Sequence, residues 1–182
     1  VVYSNTKDVP EGEYNPPKNL DRALVRVNKY ILDGIDKEKV TPQQKKEITA
    51  LITYLHTYRF LHQINSYVSQ VDRDLFESSF IRYCYDKADL TQEEVDQYII
   101  LCTEVVISSN IQATIQVIQG QINSQVESDG KIPMTLVEAS NSARNEYNQC
   151  VTRQQKLLND LKVKRSDRLS KNIKENASIL NL

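Results

Sequence analysis

Apolar residues recur along this chain at helical spacing. Leu20, Leu24, Val27 and Ile31 follow a 3.6-residue period, and Gly34 stands where a helix stop is expected, so residues 20–32 are predicted as a short helix. Thr41-Pro42-Gln43-Gln44 then combines an N-cap Thr, a Pro at the first helical position and a Gln three residues after the cap. The stripe it opens, Ile48, Leu51, Ile52, Leu55, Tyr58, Leu61, Ile64 and Val68, stays on one face and predicts a single helix of about seven turns. A further helix is expected over Asp72 to Lys87, with Leu75, Phe76, Phe80, Tyr83 and Cys84 inward. Thr91-Gln92-Glu93-Glu94 is a second capping box and launches Val95, Tyr98, Ile99, Cys102, Val105 and Val106.

Beyond Val106 two periods compete. Ile111, Ala113, Ile115 and Val117 alternate as a strand would, and the β-branched content suits a sheet. Ala113, Val117, Ile118, Ile122 and Val126 equally fit one helix face, and the intervening glutamines are good helix formers. Helix is favoured, with a short β-hairpin near 105–132 left open. Ser128-Asp129-Gly130 signals a turn, and Pro133 suits the first turn of a helix carrying Leu136, Val137, Ser140, Ala143, Tyr147, Cys150, Gln154, Leu157, Leu158 and Leu161, a seam like that of a coiled coil. Ser166-Asp167-Arg168-Leu169 is expected to start a last helix. The fold class is thus mainly α, a helical bundle with long helical hairpins. Its expected regions are an extended N-terminal arm (1–18), an N-terminal helical region suited to DNA (19–69), a central oligomerisation core (70–161) and a basic C-terminal segment (162–182).

Composition narrows the function. With only Gly12, Gly34, Gly120 and Gly130 among 182 residues, neither a phosphate-cradling GxxxxGK loop nor a GxGxxG turn can be written. Cys84, Cys102 and Cys150 form neither a CxxC pair nor a disulfide framework, which points to a reducing compartment. His56 and His62, six apart, face different sides of a helix and cannot form an HExxH pair, so neither metal nor cofactor is expected. No apolar run approaches the ~20 residues of a membrane span, and the opening Val1-Val2-Tyr3-Ser4 lacks the layout of a signal peptide. A cytoplasmic protein without a membrane partner is expected, and the missing initiator Met suggests a processed or trimmed piece.

Charge is segregated. Residues 1–69 carry 10 basic and 8 acidic side chains, residues 70–140 carry 4 and 12, and residues 141–182 carry 9 and 4. The candidate phosphate contacts are Arg153, Lys156, Lys162, Lys164, Arg165 and Arg168 near the end, with Arg22, Arg26, Lys29, Lys45 and Lys46 around the first two helices, which could form a relative of the helix-turn-helix. Opposite signs on successive segments also favour head-to-tail contact between copies, which closes into rings. Simple solvation of one helix face explains the same charges. Candidate oligomer contacts are Tyr58, Leu61, Leu136, Tyr147, Leu157, Leu158 and Leu161, since apolar helix flanks need partners. The acidic pairs sit at helix starts, where capping and the dipole account for them, and no Ser, His and Asp constellation can be assembled. A non-enzyme is expected.

From Val71 onward the chain resembles small terminase subunits of tailed bacteriophages, the P27-like group in particular. The resembling stretches are Gln70-Val71-Asp72-Arg73-Asp74-Leu75-Phe76-Glu77 with Tyr83, then Lys131-Ile132-Pro133, then Gln155-Lys156-Leu157-Leu158-Asn159-Asp160-Leu161 with Ser166-Asp167-Arg168. They span roughly residues 70–168. The family's usual Gly-Leu-Thr-Pro-like link is replaced by Lys162-Val163-Lys164-Arg165, and the first 69 residues lie outside the match. The resemblance implies a ring-forming, non-catalytic subunit that recognises double-stranded viral DNA in the cytoplasm of a bacterial host and works with a large ATPase–nuclease subunit. The alternative from the residues alone is a helical adaptor or scaffold that binds proteins through its apolar faces and has no nucleic-acid role.

Overall fold

The structure, a computed structural model, describes residues 12–180. Within them lie α1 (Leu20–Tyr30), a single 3-10 turn (Lys37–Lys39), α2 (Pro42–Leu55), α3 (Tyr58–Ser66), α4 (Gln70–Cys84), α5 (Gln92–Asp129) and α6 (Met134–Leu180), with no strand among the described residues. A mainly α fold is therefore the observed class. The chain forms two compact units, Val1–Val106 and Ile107–Leu182. The division falls inside α5, away from the composition boundaries at residues 69 and 161, because charge content does not register which helical turns pack together. Part of the expected N-terminal arm, residues 1–11, lies outside the described residues; residues 13–18 carry no helix or strand.

In the first unit α1 buries Ala23, Leu24 and Val27 and packs on α2 and α4. Asn19 caps it by accepting from the Arg22 amide at 2.9 Å. α2 starts on the predicted capping box: Thr41 Oγ1 accepts from the Gln44 amide at 3.1 Å while Gln44 Oε1 accepts from the Thr41 amide at 3.0 Å. The single seven-turn helix expected here is corrected to two. The chain breaks at His56-Thr57, where the Thr57 hydroxyl donates to the Tyr54 carbonyl at 2.8 Å and His56 Nδ1 lies 2.7 Å from the Ile52 carbonyl. Side chains thus take over carbonyls that the next helical turn would need. The break re-aims the stripe: Ile48, Leu51, Leu55, Phe60 and Ile64 are buried, but Tyr58 and Val68 are exposed.

The core of this unit is aromatic. Phe60 is fully buried, with ring centroids 4.8 Å from Phe80 and 5.1 Å from Phe76, and Tyr14 presents an edge to it at 5.8 Å. The second predicted capping box is also present, Thr91 Oγ1 accepting from the Glu94 amide at 3.2 Å and Glu94 Oε2 from the Thr91 amide at 3.1 Å.

In the second unit the hairpin question is resolved as helix. Residues 107–129 continue α5 without interruption, and the β-hairpin alternative near 105–132 is corrected: interspersed glutamines sustain the helix, and the Ile residues face a partner every three or four residues. Gly130, at φ +65°, ends α5 in the left-handed region and donates to the Val126 carbonyl at 3.0 Å. α6 then returns antiparallel, as Gln154 Nε2 donates to Ser108 Oγ at 3.0 Å across 46 residues of chain. Leu136, Ser140, Ala143, Tyr147, Cys150, Gln154, Leu157 and Leu161 repeat at alternating steps of four and three along α6, and Ser108, Ile111, Ile115, Ile118 and Ile122 do the same along α5. The small residues Ser108, Ser140 and Ala143 on these repeats are all buried. The separate last helix expected from Ser166 is corrected too. α6 runs unbroken to Leu180, because neither Gly nor Pro stands anywhere within it.

Long and rich in Ile and Val, α5 is by length and composition alone apolar enough to cross a membrane, one 18-residue window reaching a mean hydropathy of 1.3 with 33% of it buried. Its apolar residues are interleaved with glutamines, which is why no continuous apolar run is seen.

Candidate functional site

The strongest concentration of polar chemistry in the first unit surrounds a buried carboxylate. α4 carries Glu77 between Phe76 and Phe80, so packing of that helix draws the glutamate inside to 5% exposure. Three side chains reach it from other segments. Arg26 Nη1 of α1 lies 2.9 Å from Oε2, the Tyr30 hydroxyl donates to Oε1 at 3.2 Å, and the Tyr14 hydroxyl donates to Oε2. Arg26 also donates to the Asn15 carbonyl at 2.9 Å and to the Tyr14 hydroxyl at 3.2 Å. A buried carboxylate costs free energy unless paired and hydrogen-bonded, and here both conditions are met. Burial, then the adjoining Glu77 charge, hold the Tyr14 and Tyr30 phenols well above their ordinary pKa. Burial disfavours the Arg26 cation, but Glu77 and Tyr14 outweigh it and keep the guanidinium protonated.

Tyr14 is positioned by the segment before α1. Its amide donates to Asn65 Oδ1 at 2.8 Å, and Arg73 Nη1 donates to the Gly12 carbonyl at 2.7 Å, so α3 and α4 hold the segment down. Beside this cluster opens a cavity of about 770 Å3. α1 supplies Arg22, Val25, Arg26 and Lys29 to one wall, and α4 supplies Gln70, Arg73, Asp74 and Glu77 to the other. The volume falls within the roughly 300–1,000 Å3 of ligand pockets.

The predicted phosphate contacts divide accordingly. Arg22 and Lys29 are exposed at the cavity, with the Lys29 ammonium 5.4 Å from the Tyr30 ring centroid. Arg26 is drawn inward to Glu77, at 30% side-chain exposure. Lys45 and Lys46 are exposed on α2, outside the cavity lining. On α6, Arg153, Lys156, Lys162 and Lys164 are exposed and Arg165 and Arg168 half-buried. Arg153 to Arg168 covers roughly 22 Å of helix at 1.5 Å per residue.

Of the predicted oligomer contacts, Leu136, Tyr147, Leu157 and Leu161 share the α6 seam, Leu161 buried and the others half-buried, with the half-buried Leu158 adjoining them. Tyr58 and Leu61 belong instead to α3; Tyr58 is 79% exposed and stacks on His62 at 5.7 Å. Two features went unread in the sequence. Residues 107–126 contain no charged side chain, although Ile107, Val117 and Val126 are exposed there. The Glu77 cluster was the other, and its signal was a lone carboxylate one residue after Phe76 and three before Phe80.

Cys84, Cys102 and Cys150 are buried, and burial raises the Cys84 and Cys102 pKa, leaving those two thiols unreactive packing groups. Among the described residues no group of three or more His, Cys, Asp or Glu is arranged to hold a metal ion. No family model, no curated protein and no solved structure matches the chain.

Proposed function

We propose that the protein is a non-catalytic, ring-forming subunit that holds double-stranded DNA through the basic end of α6 and serves a packaging machine of the small-terminase kind, alongside a separate ATPase–nuclease subunit. The observation that carries this reading is the last part of α6: Lys162, Lys164, Arg165, Arg168, Lys171 and Lys174 stand against only Asp167 and Glu175 on a helix largely exposed over that stretch. Such a cation density gains affinity by releasing counterions from phosphates. Self-association is supported by the second unit, where a two-helix hairpin leaves Ile111, Ile115, Ile118 and Ile122 only half-covered and the outer side of 107–126 carries no charge to oppose a neighbour.

Duplex binding measured against salt tests the DNA half. Reversing Lys162, Lys171 and Lys174 to Glu is expected to weaken binding at least tenfold and to flatten the salt dependence by about one ion for each phosphate no longer neutralised. Unchanged affinity overturns it. Native mass spectrometry tests the other half, a clean monomer at micromolar concentration being the refuting result. A protein-binding adaptor is the second reading, favoured because Arg26 is spent on Glu77 instead of facing outward. It prevails if the protein binds no duplex at low salt.

A further inference from the structure

We infer that the hairpin of the second unit is closed by a second copy of itself, lying antiparallel across the face that α6 leaves half-covered. The inference rests on the self-association proposed above and specifies its geometry. Residues 107–126 read nearly alike in both directions about a point between Gln116 and Val117. Ile115 mirrors Ile118, Gln112 mirrors Gln121, Ile111 mirrors Ile122 and Asn110 mirrors Asn123. A copy turned end over end therefore presents the same side chains in the same order, and an isologous contact needs a surface that matches itself. The four isoleucines are half-buried, and Ile107 and Val126 at the two limits are 41% and 43% exposed, so apolar surface is left for a copy to cover.

Charge fixes the direction and the occupant. Gln154 bonds to Ser108, so the midpoint on α5 stands level with Asn145 and Glu146 on α6. On the turn side of that level lie Glu127, Asp129 and Glu138 against Lys131 alone, and on the other side residues 147–159 hold Arg153 and Lys156 and no acid. A twofold axis through the midpoint brings Glu138 level with Arg153 of the copy and Glu127 level with its Lys156, twice over. A parallel copy would set the acidic turns against each other. Lipid is the wrong cover for this helix, because the seven Asn and Gln side chains between 107 and 126 would enter hydrocarbon without partners. Against a copy they meet amides, which both donate and accept. A nucleic acid finds no cation anywhere on the stretch. Since the contact is isologous, any ring built with it counts its subunits in pairs.

Pulsed electron spin resonance on the full chain, labelled through Thr135→Cys at the exposed start of α6, reads the direction. Thr135 lies level with Lys156 of an antiparallel copy, so the two labels are separated by roughly 30 Å of helix, against about 10 Å for copies side by side in parallel. The unsubstituted chain, whose cysteines are buried, is the labelling control. Glu127→Lys with Glu138→Lys is expected to weaken self-association at least tenfold in sedimentation, as is Arg153→Glu with Lys156→Glu. All four changes together are expected to restore it to within about threefold, a rescue that a misfolded variant would not give. A separation near 10 Å, or association indifferent to both reversals, overturns the inference and leaves self-association through another face standing. A monomer at micromolar concentration overturns it together with that half of the proposed function. Uptake by phosphatidylcholine vesicles that dissolves the oligomer overturns it in favour of lipid.

Discussion

Replacing Glu77 by Ala removes the acceptor for three donors at once. Hydrogen bonds to a charged group contribute about 1.5–3 kcal/mol each, and deleting one member of a buried ion pair costs ~3–5 kcal/mol. Arg26, at 30% side-chain exposure, can turn toward water, and Tyr30 is only half-buried, so the cost belongs near the lower end, about 3 kcal/mol. With an m-value of about 1–3 kcal/mol per molar urea, the unfolding midpoint falls by about 1–3 M. Intrinsic tyrosine fluorescence is a selective reporter, since the chain has no Trp and every Tyr except Tyr147 precedes the division at Val106. Arg26→Leu made together with Glu77→Leu is expected to cost less than the two single changes summed, with a coupling of about 1 kcal/mol or more, because neither leaves the other's charge stranded. A loss below about 1 kcal/mol for Glu77→Ala, or additivity within about 0.3–0.5 kcal/mol, would refute the view that this cluster ties the segment before α1 to α4.

Three further outcomes are expected. Phe60→Ala, at a fully buried ring contacting Phe76 and Phe80, destabilises the first unit by about 3–5 kcal/mol in the same urea assay. Gly130→Ala places a Cβ at φ +65°, where space is open but the backbone is strained, and lowers helix stability by about 1 kcal/mol, seen as an earlier loss of circular dichroism on heating. Because Tyr14 and Tyr30 have raised pKa values when folded, their protons are held in the native state after the unfolded chain begins to release its own near the ordinary value of 10.0. Their contribution is fully present below pH 10 and falls as pH rises beyond it. Phenolate absorbance for the two should therefore appear together with unfolding, and Tyr14→Phe with Tyr30→Phe should blunt the alkaline loss.

The two capping boxes were legible because they are local: a Thr and a Gln or Glu three residues later satisfy each other's amides wherever a helix begins, and Thr41–Gln44 and Thr91–Glu94 do so at the predicted positions. The α6 seam was legible for a similar reason, being a repeat of four and three residues that any antiparallel partner can meet. The break at His56-Thr57 was not. Apolar periodicity runs straight through it, and the first helix ends where the His56 and Thr57 amides and side chains together turn to the Ile52, Thr53 and Tyr54 carbonyls.

The candidate cavity belongs wholly to this second kind of information. Arg22, Arg26 and Lys29 read in the sequence as three equivalent cations on one helix, yet Glu77 captures the middle one and leaves its neighbours at the rim. Tyr14, Arg26, Tyr30 and Glu77 are scattered over 63 residues, and no periodicity links them. What the amino-acid order determined is helix, caps, turn at Gly130 and the uneven charge, all set by interactions within a few residues. Which cations face water and which compensate a buried carboxylate was decided only when α1, α4 and the segment before them packed together, because desolvation depends on neighbours distant in the chain.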